Sequence, residues 1–268
     1  MFSEVYMFNF EKIFSTEKPV IAMCHLLALP GDPQYNGIAG IEHIINYAKN
    51  EIEILQSNGV DGLLISNEFS YPYSQNISKL TVATMARVIG ELKNFIKIPF
   101  GVDCMYDAFS TIDLAVATDA KFYRITLNPS DTYNYELGKS PLGDYLRYEN
   151  ANNSTCFINI EPSVRPSLKS KNIERLFNAI LVQANPKVLC ISSESMAYLT
   201  DKKIELYNRI KDRTKIICDG GCNKNNVQKI FKHTDGIIIG TALKKDGNLQ
   251  NSIEASRVSD FIDYIHHI

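Results

Sequence analysis

The chain has 268 residues, of which 45% are hydrophobic and 22% are charged, and its formal net charge is −2. This length is typical of a single β/α barrel with one large core. The near-neutral charge, without any Lys/Arg-rich run, excludes the electrostatic footprint of a nucleic-acid-binding protein, and no apolar stretch approaches the roughly 18 residues that a membrane-spanning helix needs.

Short apolar runs alternate with amphipathic stretches along the chain, a pattern typical of βα units around a parallel sheet. Eight strands are predicted, at Val20–Leu26, Gly62–Asn67, Pro99–Cys104, Phe122–Asn128, Phe157–Glu161, Val188–Ser192, Lys215–Asp219 and Gly236–Gly240. Apolar residues spaced three and four apart predict a first long helix within Ile41–Leu55. Further helices are predicted at Leu80–Ile96, Ala108–Thr118, Leu142–Asn150, Ile173–Gln183, Lys202–Lys211, Asn225–Lys232 and Ala255–His266.

Eight strands and eight helices favour a closed (β/α)8 barrel, the TIM barrel, as a single domain over residues 1–268. Residues 1–17 are expected to form an N-terminal extension that packs on the barrel. A doubly wound open sheet is the alternative architecture. Against it, no G-x-G-x-x-G motif follows the first strand, where a dinucleotide-binding fold would place one.

The six cysteines are expected to be reduced. Residues 1–6 carry an early acid and no basic region before an apolar block, so we predict no secretory signal and a cytoplasmic location. Cys218 and Cys222 bracket a glycine pair, but a C-x3-C spacing alone lacks a second pair of ligands. Neither a metal nor a cofactor is predicted.

Glycines end the last two predicted strands, as Gly220-Gly221 and as Gly240 before Thr241. In a β/α barrel these positions often hold a phosphate, because glycine lets backbone N–H groups approach an anion closely. Two ordinary turns at the ends of strands are the alternative explanation. We predict that Gly220, Gly221, Gly240 and Thr241 bind phosphate.

Polar residues at the other strand ends predict acid/base chemistry on a small polar ligand, since barrel active sites lie at the carboxyl ends of the strands. His25, Asp103 and Glu161 are the candidate catalytic residues. His25 could instead orient the turn that follows it by bonding a loop carbonyl. The motifs of acyl nucleophiles, HExxH metalloproteases and P-loop proteins are absent.

Asn67, Arg124 and Asp219 are the candidate substrate-binding residues at the ends of the second, fourth and seventh strands. Arg124 lies among apolar neighbours and must find a partner. If that partner is Asp103, the carboxylate stays ionised and the pair is structural rather than catalytic. Asp219 could reach a substrate or fix the loop that follows it.

Several segments resemble the BtpA/SgcQ family, and the likeness covers nearly the whole chain. At the start it lies in the stretch from Lys18-Pro19-Val20-Ile21 through Pro30-Gly31-Asp32-Pro33. It continues in Gly59-Val60-Asp61-Gly62 and Val82-Ala83-Thr84-Met85-Ala86-Arg87-Val88, and closes with Asn226-Val227, the stretch Asp235 to Gly247, and Arg257-Val258. The resemblance implies a phosphate-binding TIM barrel, in a family where one branch is associated with photosystem I accumulation at thylakoid membranes and another with carbohydrate metabolism.

The central motifs depart from the family pattern. Where the family has G-V-N-V-L-R-N-D after the third strand, this chain has Gly101 to Ala108 with Tyr106 at the Arg position. Ser66-Asn67 replaces an acid-Asn pair, and Val164-Arg165-Pro166-Ser167 replaces V-K-H-A. Because these polar residues are replaced, this chain is less expected to share the family's reaction than to share its phosphate binding, whose glycines are kept.

Two functions follow from the sequence. The first is a phosphate-binding enzyme that acts by acid/base chemistry on a small phosphorylated metabolite, a sugar phosphate or a nucleotide-like compound. The second is a non-catalytic assembly or biogenesis factor of the BtpA type, which keeps the barrel and acts on a membrane complex such as photosystem I. The expected partners are the phosphorylated ligand, a membrane surface contacted peripherally, and a second copy in a homo-oligomer.

Overall fold

Eight parallel strands close into a barrel in the order β1 to β8, with β8 pairing back onto β1. The computed structural model describes residues 8–74, 76–126, 153–159, 186–191, 208, 210–211 and 214–268. The strands are β1 (Val20–His25), β2 (Gly62–Ser66), β3 (Phe100–Asp103), β4 (Phe122–Thr126), β5 (Thr155–Asn159), β6 (Val188–Ile191), β7 (Lys215–Asp219) and β8 (Gly236–Ile239). The predicted TIM barrel is confirmed.

Helices lie between the strands. Those within the described residues are α1 (Glu11–Phe14), α2 (Gly40–Ser57), α3 (Lys79–Leu92), α4 (Ala108–Thr118), α5 (Val227–Phe231) and α6 (Ala255–His266), with two 3₁₀ turns at Thr241–Leu243 and Lys245–Gly247. The helices predicted at residues 142–150 and 173–183 lie outside the described residues, as does most of the one at 202–211.

Two predicted boundaries need correction. Helix α3 ends at Leu92 rather than Ile96, because the carbonyl of Leu92 accepts hydrogen bonds from both Phe95 and Ile96 and closes the last turn. Strand β5 begins at Thr155 rather than Phe157, because the amide of Thr155 bonds the carbonyl of Lys121 beside β4. Thr155 is polar, so the apolar pattern of the sequence did not include it in the strand, yet it is buried.

The core has two layers, set by the alternation of side chains along each strand. On β1, Val20, Ala22 and Cys24 face the helices, whereas Ile21 and Met23 face the barrel interior. The helix layer is filled by the apolar stripes that the sequence predicted, such as Ile44, Ala48, Ile52 and Leu55 on α2. Because every strand is covered on both faces, its residues are buried almost without interruption.

Aromatic rings fill the amino-terminal end of the barrel interior. Phe10 and Phe14, from the segment before β1, pack against Phe157 and Phe122 respectively. The Phe122 and Phe157 rings stack 4.8 Å apart. Gly101 makes room for them, since a Cβ there would lie 2.4 Å from the Phe122 ring. The interior is therefore closed at this end, which leaves the carboxyl ends of the strands for a site.

Candidate active site at the carboxyl ends of the strands

A cavity of about 500 Å3 opens at the carboxyl ends of the strands. This volume falls in the range of small-molecule sites. Seven of the predicted site residues line it, namely His25, Arg124, Asp219, Gly220, Gly221, Gly240 and Thr241. Asp103 and Asn67 are buried and are not part of its lining. Glu161 lies outside the described residues.

The floor of the cavity is the guanidinium group of Arg124. Its Nε and Nη2 contact Asp103 Oδ2 at 2.6 and 2.5 Å, and its Nη1 lies 2.8 Å from both carboxylate oxygens of Asp219. Asp103 is on β3 and Asp219 is on β7, four strands away in the closed order. The guanidinium group therefore spans the barrel between opposite walls.

This triad is buried, and it joins two carboxyl groups to one guanidinium group. Arg124, Asp103 and Asp219 are each less than 8% exposed. Burial lowers the pKa of Arg124, but Asp219 and Asp103 outweigh that effect and raise it above its ordinary value. Burial raises the pKa of Asp103, and Arg124 opposes that shift. The pairing of Arg124 with Asp103 that the sequence left open is therefore present, and it commits Asp103 to holding the guanidinium.

Two asparagines support the triad and the loop above it. Asn159, at the end of β5, donates from Nδ2 to Asp219 Oδ2 over 3.2 Å. Asn67 accepts a hydrogen bond from the amide of Met105 through Oδ1, at 2.8 Å, and is only 1% exposed. Asn67 thus shapes the loop after β3, whereas Asn159, which the sequence did not single out, lines the cavity.

His25 projects from the end of β1 into the cavity lining. Its Nδ1 is buried and has no hydrogen-bond partner among the described residues. Burial, with Lys244 and Arg124 nearby, lowers the pKa of His25 to about 3, so the ring is neutral at physiological pH. A neutral ring with an unpartnered nitrogen can donate or accept one hydrogen bond from a ligand.

The glycine corner, which we define as Gly220, Gly221, Gly240 and Thr241, forms one side of the cavity. Gly220 and Gly221 have φ angles of 85° and 74°, in the left-handed region that favours glycine. A Cβ on Gly240 would lie 3.3 Å from the His25 ring. The amides of Gly221 and Thr241 donate no hydrogen bond to any described residue. The corner therefore contains two backbone donors that have no partner among the described residues.

Arg257, in the first turn of α6, adds a positive charge to the same side. Its Nε contacts Glu254 at 3.0 Å and its Nη1 lies 3.4 Å from the carbonyl of Ala242. The side chain is about 41% exposed, so it can reorient toward a ligand. In the sequence Arg257 is marked only by the family likeness, which gives it no role in a site, because it comes from a helix well beyond the strand ends.

A buried ion pair anchors the loop between the glycine corner and α6. Lys244 and Glu51 are fully buried and their Nζ and Oε2 atoms are 3.5 Å apart. Lys244 also donates to the carbonyl of Asn251 at 3.0 Å, and the other oxygen of Glu51 accepts from the amide of Ile253 at 2.9 Å. The pair ties this loop to α2 and so holds Gly247, a cavity-lining residue, in place.

An acidic and aromatic wall, which we define as Glu68, Tyr73 and Tyr106, lies above β2 and β3. Glu68 and Tyr106 line the cavity, and the Tyr73 hydroxyl lies 3.1 Å from Glu68 Oε1. The Tyr73 and Tyr106 rings are 5.4 Å apart. Burial raises the pKa of Glu68 despite Arg124 and Tyr73, which lower it. Glu68 directly follows Asn67, the residue chosen from the sequence at this strand end, and adjacency in sequence could not show which of the two faces the cavity.

Cys218 and Cys222 have their sulfur atoms 3.4 Å apart beside the glycine corner, and both are free thiols. Within the part of the chain that the structure describes, no three His, Cys, Asp or Glu side chains are grouped to hold a metal ion. None of the helices in that part is long and apolar enough to cross a bilayer.

The closed parallel barrel and the cavity at its carboxyl ends define this chain as a TIM-barrel protein. Comparison with solved structures agrees. Phosphoribosyl anthranilate isomerase from Thermococcus kodakaraensis superimposes with a TM-score of 0.54 at 12% identity, over 93% of this chain and 100% of that one. The 3-hexulose-6-phosphate synthase from Salmonella typhimurium gives 0.53 at 13% identity, over 93% and 100%.

The chain belongs to the BtpA family, whose model matches residues 16–267. It is 34% identical to the sgc region protein SgcQ of Escherichia coli K12, over 96% of this chain and 98% of that protein. It is 26% identical to the photosystem I biogenesis protein BtpA of Synechocystis, over 93% and 88%. The resemblance predicted from the sequence is confirmed.

Proposed function

We propose that this protein is a cytoplasmic enzyme that binds a small phosphorylated metabolite, a sugar phosphate or a nucleotide-like compound, and acts on it by proton transfer. The observation that carries the proposal is the glycine corner. There, two amides without a described partner and the guanidinium group of Arg257 meet at one side of a cavity of suitable size. Backbone amides and a nearby cation are the groups that hold a phosphate in proteins.

The proton-transfer step is assigned to the polar residues around the bound ligand. His25, neutral and beside Gly240, is placed to exchange a hydrogen bond with a group next to the phosphate. Asp103 acts through Arg124 by fixing the guanidinium group against which the ligand rests. In the proposal Glu161 is a second acid, Arg124 and Asp219 contact substrate, and Asn67 positions the loop after β3.

Phosphate binding is tested by thermal unfolding of the protein with inorganic phosphate and phosphorylated sugars and nucleotides. A ligand present at 100 times its dissociation constant stabilises the fold by about 2.7 kcal/mol. Gly221→Asp should abolish the stabilisation, because it places a negative charge at the anion site. Gly221→Asn is the matched control, since asparagine suffers similar strain at this positive φ without the charge.

A second pair of variants separates the role of Arg257 from a general loss of surface charge. Arg257→Gln should weaken binding, whereas Arg87→Gln, at a similarly half-exposed arginine on α3, should not. If no phosphorylated compound stabilises the folded protein, the binding proposal is wrong. Once a substrate is known, unchanged turnover in both His25→Ala and Asp103→Asn would refute their assigned roles.

The alternative function is a non-catalytic assembly factor. It is supported by the name of the Synechocystis relative and by the residues that replace the family's polar positions, such as Tyr106. In that case the protein would act by peripheral contact with a membrane complex or as a homo-oligomer. Sedimentation of the protein with lipid vesicles, and its molecular mass in solution, test these two interactions directly.

A further inference from the structure

The cavity has two chemically different sides. The glycine corner and Arg257, on β7, β8 and α6, present amide donors and a positive charge. The acidic and aromatic wall follows β2 and β3, and β3 is diametrically opposite β7 in the closed order. A ligand that fills the cavity from one side to the other therefore meets donors at one end and acceptors at the other.

Glu68 is the acceptor that remains available on the far wall. Its Oε1 is bonded to Tyr73, but Oε2 has no hydrogen-bond partner among the described residues. Asp103 and Asp219, by contrast, are both occupied by Arg124. Two carboxylates already share one guanidinium group, so the region around Glu68 carries an excess of negative charge, which favours a hydrogen-bond donor from the ligand.

The aromatic part of this wall is held in an unusual backbone conformation. Tyr106 has a φ of 65°, in the left-handed region that tyrosine rarely adopts, and it is 7% exposed. Conformations of this kind persist where the surrounding structure enforces them, and they cluster at binding sites. Here the strain places a large aromatic side chain in the cavity lining beside Tyr73, and its exposed part adds apolar surface on the side where Glu68 also lines the cavity.

We propose that the ligand is a phosphate monoester of a ring compound, whose phosphate lies in the glycine corner and whose ring lies against the exposed part of Tyr106 and donates a hydrogen bond to Glu68. This inference rests on the phosphate site proposed above. It adds the chemistry of the other end of the ligand, which must carry hydroxyl or amino donors on a ring.

Calorimetric titration of the full chain tests the two ends separately. Inorganic phosphate reports on the glycine corner alone. The ring compounds are ribose 5-phosphate, glucose 6-phosphate, glucosamine 6-phosphate and adenosine 5′-monophosphate. At least one of them should bind ten times or more tightly than inorganic phosphate. In Glu68→Gln this advantage should fall at least fivefold, with the affinity for inorganic phosphate changed less than twofold.

The control is Glu91→Gln, which alters an exposed carboxylate on α3 and should leave every affinity unchanged. Phosphate binding without any advantage for the four ring compounds would overturn the inference while leaving the phosphate site intact. Tighter binding of a ring compound than of inorganic phosphate that is unchanged in Glu68→Gln would also overturn the inference. Absence of all binding, in protein shown to be folded, would overturn both the phosphate site and the inference built on it.

Discussion

Replacing Arg124 with methionine tests the central triad most directly. The substitution keeps an unbranched side chain that resembles the aliphatic part of arginine, and it removes the cation that Asp103 and Asp219 share. Two carboxylates, both less than 8% exposed, would then be buried without their partner. Removing one member of a buried ion pair costs about 3–5 kcal/mol, out of a typical stability of about 5–15 kcal/mol.

The loss of stability should depend on pH in a defined direction. Arg124 opposes the rise that burial causes in the pKa of Asp103, so its removal raises that pKa further. A carboxyl group with a raised pKa in the folded state binds its proton more tightly there than in the unfolded chain, where the pKa is about 3.9. The variant is therefore most stable at low pH, and each such group costs up to about 1.4 kcal/mol per pH unit as pH rises toward its folded pKa.

Urea unfolding at about pH 4, near the unfolded pKa, and at about pH 8 measures both effects. The chain contains no tryptophan, so circular dichroism is the appropriate signal. We expect the difference in unfolding free energy between wild type and Arg124→Met to be larger at pH 8. The triple variant Asp103→Asn/Arg124→Met/Asp219→Asn should recover part of the loss. A deficit below about 1 kcal/mol at pH 8, or one that is equal at both pH values, would refute the electrostatic reasoning.

Two further predictions concern the buried ion pair of Lys244 and the packing inside the barrel. Lys244→Met should cost about 3–5 kcal/mol of unfolding free energy because it leaves Glu51 buried and unpaired. The double variant Glu51→Gln/Lys244→Met should regain at least half of that loss. A loss under about 1 kcal/mol in Lys244→Met would contradict the prediction. Gly101→Ala should cost about 1–3 kcal/mol, since its Cβ would lie 2.4 Å from the Phe122 ring. The control is Gly90→Ala on the exposed face of α3, where no atom lies within 4 Å of the new Cβ. This substitution should stabilise the protein by about 0.5–1 kcal/mol. Equal effects of the two alanine substitutions in thermal unfolding would contradict the packing argument.

Much of the fold could be predicted because the apolar patterns that mark strands lie within short segments of the sequence. Runs such as Ile237-Ile238-Ile239 carry apolar side chains on both faces and so require cover on both, and their boundaries were placed within a residue or two. The glycine ends of β7 and β8 could be predicted for the same reason, since a positive φ at Gly220 and Gly221 is a requirement of the local turn. The phosphate-binding role of these glycines stays a prediction.

The division of roles among the polar strand ends could not be predicted in the same way. Asn67 and Glu68 are adjacent in sequence, yet one holds the amide of Met105 and the other lines the cavity. Arg257 lies outside any strand end and reaches the site from α6. Which side chain faces the barrel mouth depends on how neighbouring strands and loops are staggered, and no single segment contains that information.

The sequence by itself determined the barrel, its family and the position of its glycine corner, because hydrophobic periodicity and glycine backbone freedom act over a few residues. Only the tertiary structure decided that Arg124 joins Asp103 and Asp219 across the barrel. Closure of the sheet brings β3 and β7, more than a hundred residues apart in the chain, to opposite sides of one narrow interior. A buried guanidinium group must be neutralised there by whichever carboxylates the closure places within reach.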